Sequence, residues 1–134
     1  MVKTYPGASQ RGSDLPDQRT YESQQHCPVA RTLDVVGDRW IILILRDLSW
    51  GRQRFSALLA SLKGISANRL AERLKRLEEN GMVERVFYSE HPPRAEYRLT
   101  TKGRAFVPVL RAMQQYGDEW EPRESSEPAS AAEA

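Results

Sequence analysis

The stretch that most constrains this chain is SANRLAERLKRLEENGMVERVFY, residues 66–88, where the apolar period switches from helical to alternating. Leu70, Leu74 and Leu77 recur at three- and four-residue intervals, so a helix carries all three on one stripe. Ser66 supplies a capping hydroxyl at its start, and Gly81 after Asn80 ends it. Directly afterwards Val83, Arg85 and Phe87 alternate with Glu84, Val86 and Tyr88, which predicts a strand. A polar helix with one leucine stripe is, in most proteins, a solvated surface element. Glu72, Glu78 and Glu79 would then be ordinary partners at helical spacing. A hairpin set immediately behind the helix points to something narrower.

The flanking segments supply the rest of the pattern. Val29, Leu33, Val36 and Trp40 have helical spacing, so a first helix is expected from Pro28, interrupted at Gly37-Asp38. Asp38 can cap a second helix through WIILILRDL, which is apolar on nearly every side and ends at Ser49-Trp50-Gly51. Phe55, Leu58, Leu59 and Leu62 predict a short third helix closed by Lys63-Gly64. After VERVFY, the turn-rich SEHPPRA leads to a second strand, EYRLT, through a loop too proline-rich for a tight two-residue turn. Thr100 or Thr101 then caps a last helix carrying Phe106, Leu110, Met113 and Trp120, with Pro108 kinking it or marking a late start. Three helices, a further helix, a hairpin and a closing helix make a mainly α chain in the order of a winged helix-turn-helix.

The expected organisation is a flexible arm over residues 1–26, a domain over 27–120, and a disordered acidic tail over 121–134. The whole chain carries a net charge of +2, but residues 27–120 hold 16 basic against 11 acidic side chains. A basic body between a neutral arm and an acidic tail suits a polyanionic partner without proving one. The longest apolar run, IILIL at 41–45, is too short to span a bilayer, and the N-terminus has no secretory pattern. With one cysteine there is no intramolecular disulfide, so a reducing, cytoplasmic setting is expected.

In a helix-turn-helix the second helix offers side chains to base edges in the major groove. Burying the leucine stripe of 66–80 leaves Ala67, Asn68, Arg69, Glu72, Arg73 and Arg76 outward. Asparagine pairs bidentately with adenine and arginine with guanine, which makes Asn68, Arg69 and Arg73 the expected readers. The Ser66 hydroxyl and the free amides beside it can hold a backbone phosphate, and Arg52, Arg54 and Lys63 flank the preceding helix where phosphate contacts fall. At the hairpin tip, Arg94 can enter a minor groove or touch phosphate, with His91 beside it. An arginine next to prolines is also often just exposed.

The segments CPVARTLDVVGDRWIILILRDLSWG, RFSALL, ISANRLAERLKRLEENGMVER and YRLTTKG, in that order, resemble the HxlR-type winged-helix regulators, a branch related to the MarR group. The resemblance covers about residues 27–120; the 26-residue lead is longer than the family suggests. It implies a homodimer on operator DNA, with helix 66–80 as reading element, loop 89–95 as wing, and dimer contacts from the N-terminal region and terminal helices. Two copies also suit the physics, because one short helix reaches only a few base pairs. The apolar set Leu110, Met113, Tyr116 and Trp120 would need cover from a second chain, or packing on its own domain. Repression or activation depends on where the operator lies relative to the promoter.

The lone Cys27 falls at the expected N-cap of the first helix, where free amides and the helix dipole favour negative charge, with His26 and Arg31 nearby. Regulators of the resembled type often carry a cysteine in this CP position, and some sense oxidants or electrophiles through it, by adduct or by bridging two subunits. The plainer alternative is a small residue that packs and never reacts. An enzyme is not expected: there is no Ser/His/Asp set, no glycine-rich phosphate loop, and no metal-ligand spacing, hence no catalytic residue, metal or cofactor. A winged helix that binds only proteins is the main alternative, distinguished by charge reversal in Arg69, Arg73, Lys75 and Arg76. A small-molecule effector could sit among Trp40, Phe106 and Trp120, although such aromatics are usually core.

Overall fold

A computed structural model describes residues 22–123, so the expectations for residues 1–21 and 124–134 lie outside the described residues. The order is a 3-10 turn (Glu22–Gln24), α1 (Pro28–Val36), α2 (Arg39–Ser49), α3 (Phe55–Ser61), α4 (Ala67–Glu79), β1 (Val83–Glu90), β2 (Pro93–Leu99), α5 (Thr101–Arg104) and α6 (Val107–Trp120). The chain divides within α2 into two compact units, one ending at Ile42 and the other beginning at Leu43.

In the first unit, α1 begins at Pro28, whose fixed φ and missing N–H suit the first helical turn. Gly37 ends it, its N–H donating to the Leu33 carbonyl at 2.8 Å. A Cβ at Gly37 would lie 2.5 Å from that carbonyl oxygen, which is why this close turn takes glycine. Asp38 then starts α2, its Oδ1 accepting from the amides of Trp40 at 2.7 Å and Ile41 at 3.2 Å. Residues 22–26, within the segment expected to be flexible, form the 3-10 turn and its exit; the Cys27 amide donates to Gln24 O at 2.9 Å, and Gln25 donates to Asp34 at 2.9 Å.

The second unit is organised by Ile44, Leu45 and Leu48 of α2, Leu58 of α3, and Leu70, Leu74 and Leu77 of α4, all buried. Ile65 is buried in the turn between α3 and α4, and Gly64, at φ 101°, lets the chain reverse there. The hairpin is antiparallel, with buried Val83 and Leu99 paired at its base. Pairing runs outward to Glu90 opposite Pro93, leaving only His91 and Pro92, joined by a cis peptide bond, to make the turn. The long proline-rich loop expected over 89–95 is therefore corrected. Pro93 occupies the first position of β2, a place where strands tolerate proline, so proline content did not lengthen the turn. A register shift between Phe87 and Ser89 leaves Tyr88 as the extra residue of a bulge.

The last helix is split. Thr100 caps only the short α5, accepting from the Gly103 amide at 3.1 Å, and α6 starts late with Pro108 in its first turn. Segment 100–103 locks onto the end of α4: Thr100 N donates to Met82 O at 3.0 Å, its hydroxyl donates to Gly81 O, and Lys102 Nζ donates to Asn80 O at 2.8 Å. Gly103 permits that approach, since a Cβ there would stand 2.2 Å from Met82 O. Gly103→Ala is therefore expected to cost roughly 1–3 kcal/mol as overpacking against rigid backbone, read as a lowered urea midpoint with unchanged slope. A wild-type midpoint would refute the contact.

Candidate nucleic-acid interface

The face of α4 that meets solvent is set by the face that cannot. With Leu70, Leu74 and Leu77 buried, Ser66, Ala67, Asn68 and Arg69 stand exposed at the helix start. Ser66 Oγ accepts from the Arg69 amide at 3.1 Å, and its carbonyl accepts from the Leu70 amide at 2.9 Å. The amides of Ala67 and Asn68 are left at the helix mouth, an arrangement that suits an anion. This end of α4 therefore offers hydrogen-bond donors, a positive dipole end and two long polar side chains together.

The other expected contacts differ in how free they are. Arg73, expected on the outward arc, is ion-paired with Glu72 and its side chain is only 19% exposed, whereas Arg69 is exposed. Arg76 is half-buried one turn further on. Lys63 is exposed in the turn before α4, and His91 and Arg94 are exposed at the hairpin tip. Arg52 faces inward instead: its guanidinium lies 3.6 Å from Asp47, a fully buried carboxylate, and 5.8 Å from the Trp50 ring centroid. Arg46 meets the same Asp47 oxygen at 2.9 Å and lies 4.9 Å from the Trp50 ring centroid. Arg54 stacks on Tyr88 at 4.7 Å and approaches Glu96 at 3.9 Å.

Between α4 and the hairpin lies an open groove of about 500 Å³ lined by Ala71, Lys75, Glu78, Glu79, Arg85 and Tyr97. Arg85 and Glu78 meet across it at 3.8 Å. Sequence reasoning missed Arg85, Tyr88 and Glu96 as neighbours of this surface. Nothing local signals them, because each meets its partner from another element.

Cys27 stands at the α1 N-cap, half-buried, and its side chain makes no capping hydrogen bond among the described residues. Arg31, expected to add positive charge near the thiol, donates to Gln25 O, and His26 is exposed. On α6, Met113, Tyr116 and Trp120 are exposed, the last two at 63% and 64%, with Val109 beside them and Leu110 half-buried. Phe106 is buried and Trp40 half-buried, so the three aromatics expected around an effector sit in unlike environments. Among the described residues no cluster of three or more His, Cys, Asp or Glu could hold a metal, and no helix is long and apolar enough to cross a membrane.

A family model described as HxlR-like helix-turn-helix matches residues 35–125. The HTH-type transcriptional regulator sll1512 of Synechocystis is 42% identical over 127 residues, covering 95% of this chain and 93% of that protein. The crystal structure of PA1607 superposes with a TM-score of 0.71 at 42% identity, covering 80% of this chain and 75% of that one. The redox regulator HypR in its reduced form superposes with a TM-score of 0.66 at 33% identity, covering 69% and 92%.

Removing the Ser66 hydroxyl tests the local geometry. Ser66→Ala is expected to lower unfolding stability by about 1 kcal/mol, the usual cost of a lost N-cap, whereas Ser66→Asp keeps an acceptor and much of the stability. Equal losses in both variants would argue against the cap.

Proposed function

The chain belongs to the HxlR-like helix-turn-helix family of transcriptional regulators, and we propose that it grips operator DNA as a two-fold homodimer through α4 and the hairpin. The observation that carries this reading is the exposed, capped start of α4 above a buried leucine stripe. Asn68 and Arg69 read base edges, with Arg73 and Arg76 along the same helix and Ala67 small enough to meet a thymine methyl. Ser66, the amides beside it and Lys63 take backbone phosphates, while Arg52 and Arg54 border the same approach. Arg94, with His91 beside it, tracks the neighbouring minor groove as the wing. Cytoplasm is the compartment in which such a regulator meets its operator.

The apolar side of α6 supports the dimer. Met113, Tyr116 and Trp120 are costly to leave in water, and a second copy would cover them while setting two α4 helices on successive half-sites. Selection from a randomised duplex pool is expected to return an inverted pair of half-sites. Arg69→Ala should weaken binding to the selected duplex by about 1–3 kcal/mol and relax discrimination at one position per half-site, with an unchanged circular dichroism spectrum. Failure of the purified chain to retain any duplex at low salt would sink the proposal.

A second reading is favoured by the position of Cys27, half-buried at a helix N-cap, and by likeness to a redox regulator solved both reduced and oxidised. Here Cys27 reports oxidants. The thiols of two subunits join as a disulfide, giving two protons and two electrons to the oxidant, or one thiol adds to an electrophile. Diamide should change operator affinity of the wild type and leave Cys27→Ser unaffected; an identical response in both excludes the role.

A further inference from the structure

We infer that Arg54 is a positioning residue that braces the wing against the helix-turn-helix, its guanidinium committed to the hairpin and not to a DNA phosphate. This rests on the DNA-binding reading above only for its consequence; the brace itself belongs to the free protein.

Arg54 is the N-cap of α3, at φ −97° and ψ 147°, so its side chain leaves the chain just where the helix-turn-helix begins. From there it reaches both strands. Its Cζ lies 4.7 Å from the centroid of the Tyr88 ring on β1, and its Nε lies 3.9 Å from Glu96 Oε2 on β2. The preceding residue adds a backbone link, since Gln53 O accepts from the Tyr97 amide at 2.8 Å. Tyr88 is the extra residue of the β1 bulge, and a bulge re-aims the side chain it carries. Glu96 is in turn held by Arg98, 3.3 Å from its other oxygen.

The hairpin needs such an anchor. A two-stranded ribbon is marginal by itself, and this one is fully buried only at its base, at Val83 and Leu99, with Val86, Ala95 and Tyr97 half-buried. Further out, Phe87 and Tyr88 are exposed. Arg85 meets Glu78 of α4 at 3.8 Å, so β1 is tied to the reading helix, while Arg54 ties both strands to the start of α3. Together these contacts fix the angle between α4 and the wing, and with it whether both can engage neighbouring grooves at once. The planar guanidinium matters, because it stacks on a ring and pairs with a carboxylate in a way an ammonium cannot.

The test uses Arg54→Ala, Arg54→Lys, Tyr88→Ala and Tyr88→Phe in the full chain. In the free protein, amide hydrogen exchange of the hairpin, Tyr97 included, should quicken roughly threefold in the first three variants and stay unchanged in Tyr88→Phe. On a duplex selected from a randomised pool by the wild type, those three should bind roughly three- to tenfold more weakly with an unchanged salt slope. Arg54→Ala combined with Tyr88→Ala should be no worse than either alone. Unchanged hairpin exchange in Arg54→Ala, wild-type binding in Arg54→Lys, or a salt slope lower by about one would overturn the brace and make Arg54 a phosphate ligand. If the wild type selects no duplex, the DNA reading fails, and the exchange result alone then upholds or overturns the brace.

Discussion

Burial of Leu70, Leu74 and Leu77 is the constraint on which the interface depends. These side chains lie on one arc of α4, and hiding them from water fixes the rotation of the helix about its axis. Once the rotation is fixed, Asn68 and Arg69 have nowhere to project but outward. A fully buried leucine is worth about 1.5–3 kcal/mol relative to an exposed one, so turning α4 over would forfeit far more than any polar contact on its outer face returns. The polar face is thus presented by the apolar one.

The charged residues around α4 divide by what holds them. Asp47 is fully buried, with Arg46 and Arg52 against one carboxylate oxygen and both guanidiniums near the Trp50 ring. Burying a carboxylate costs solvation that ion pairing only partly returns, so this cluster is weak evidence for stability. Its physical effect is geometric: two arginines and an aromatic ring are ordered where α2 gives way to the segment entering α3. Arg54 meets Tyr88 and Glu96 at the surface, its side chain 58% exposed. Lys63 and Arg69 are exposed as well, and exposed side chains of that kind can exchange water for phosphate or base.

Capping was legible at three helix starts. Asp38, Ser66 and Thr100 each accept from an amide two or three positions ahead, and Gly51, Gly64 and Gly81 take positive φ where elements end. Such features depend on a handful of consecutive residues, so composition at those positions suffices to read them. The hairpin turn was not legible, because counting prolines says nothing of whether a proline falls at a ladder position that needs its donor. The tie between segment 100–103 and the end of α4 was also invisible. It depends on Gly103 meeting Met82 O across 21 positions of chain, an approach only the packed chain reveals.

The amino-acid order by itself determined the succession of elements, the inward stripe of α4 and the basic character of its outward face, since periodicity and capping act within one or two helical turns. Tertiary structure alone decided which arginines are engaged. Arg52, Arg54 and Arg85 look alike along the chain, yet the first meets a buried carboxylate, the second a bulged tyrosine and the third a glutamate on α4. A long flexible side chain takes its partner from whatever folding brings within its reach, and that neighbour is set by packing rather than by adjacency.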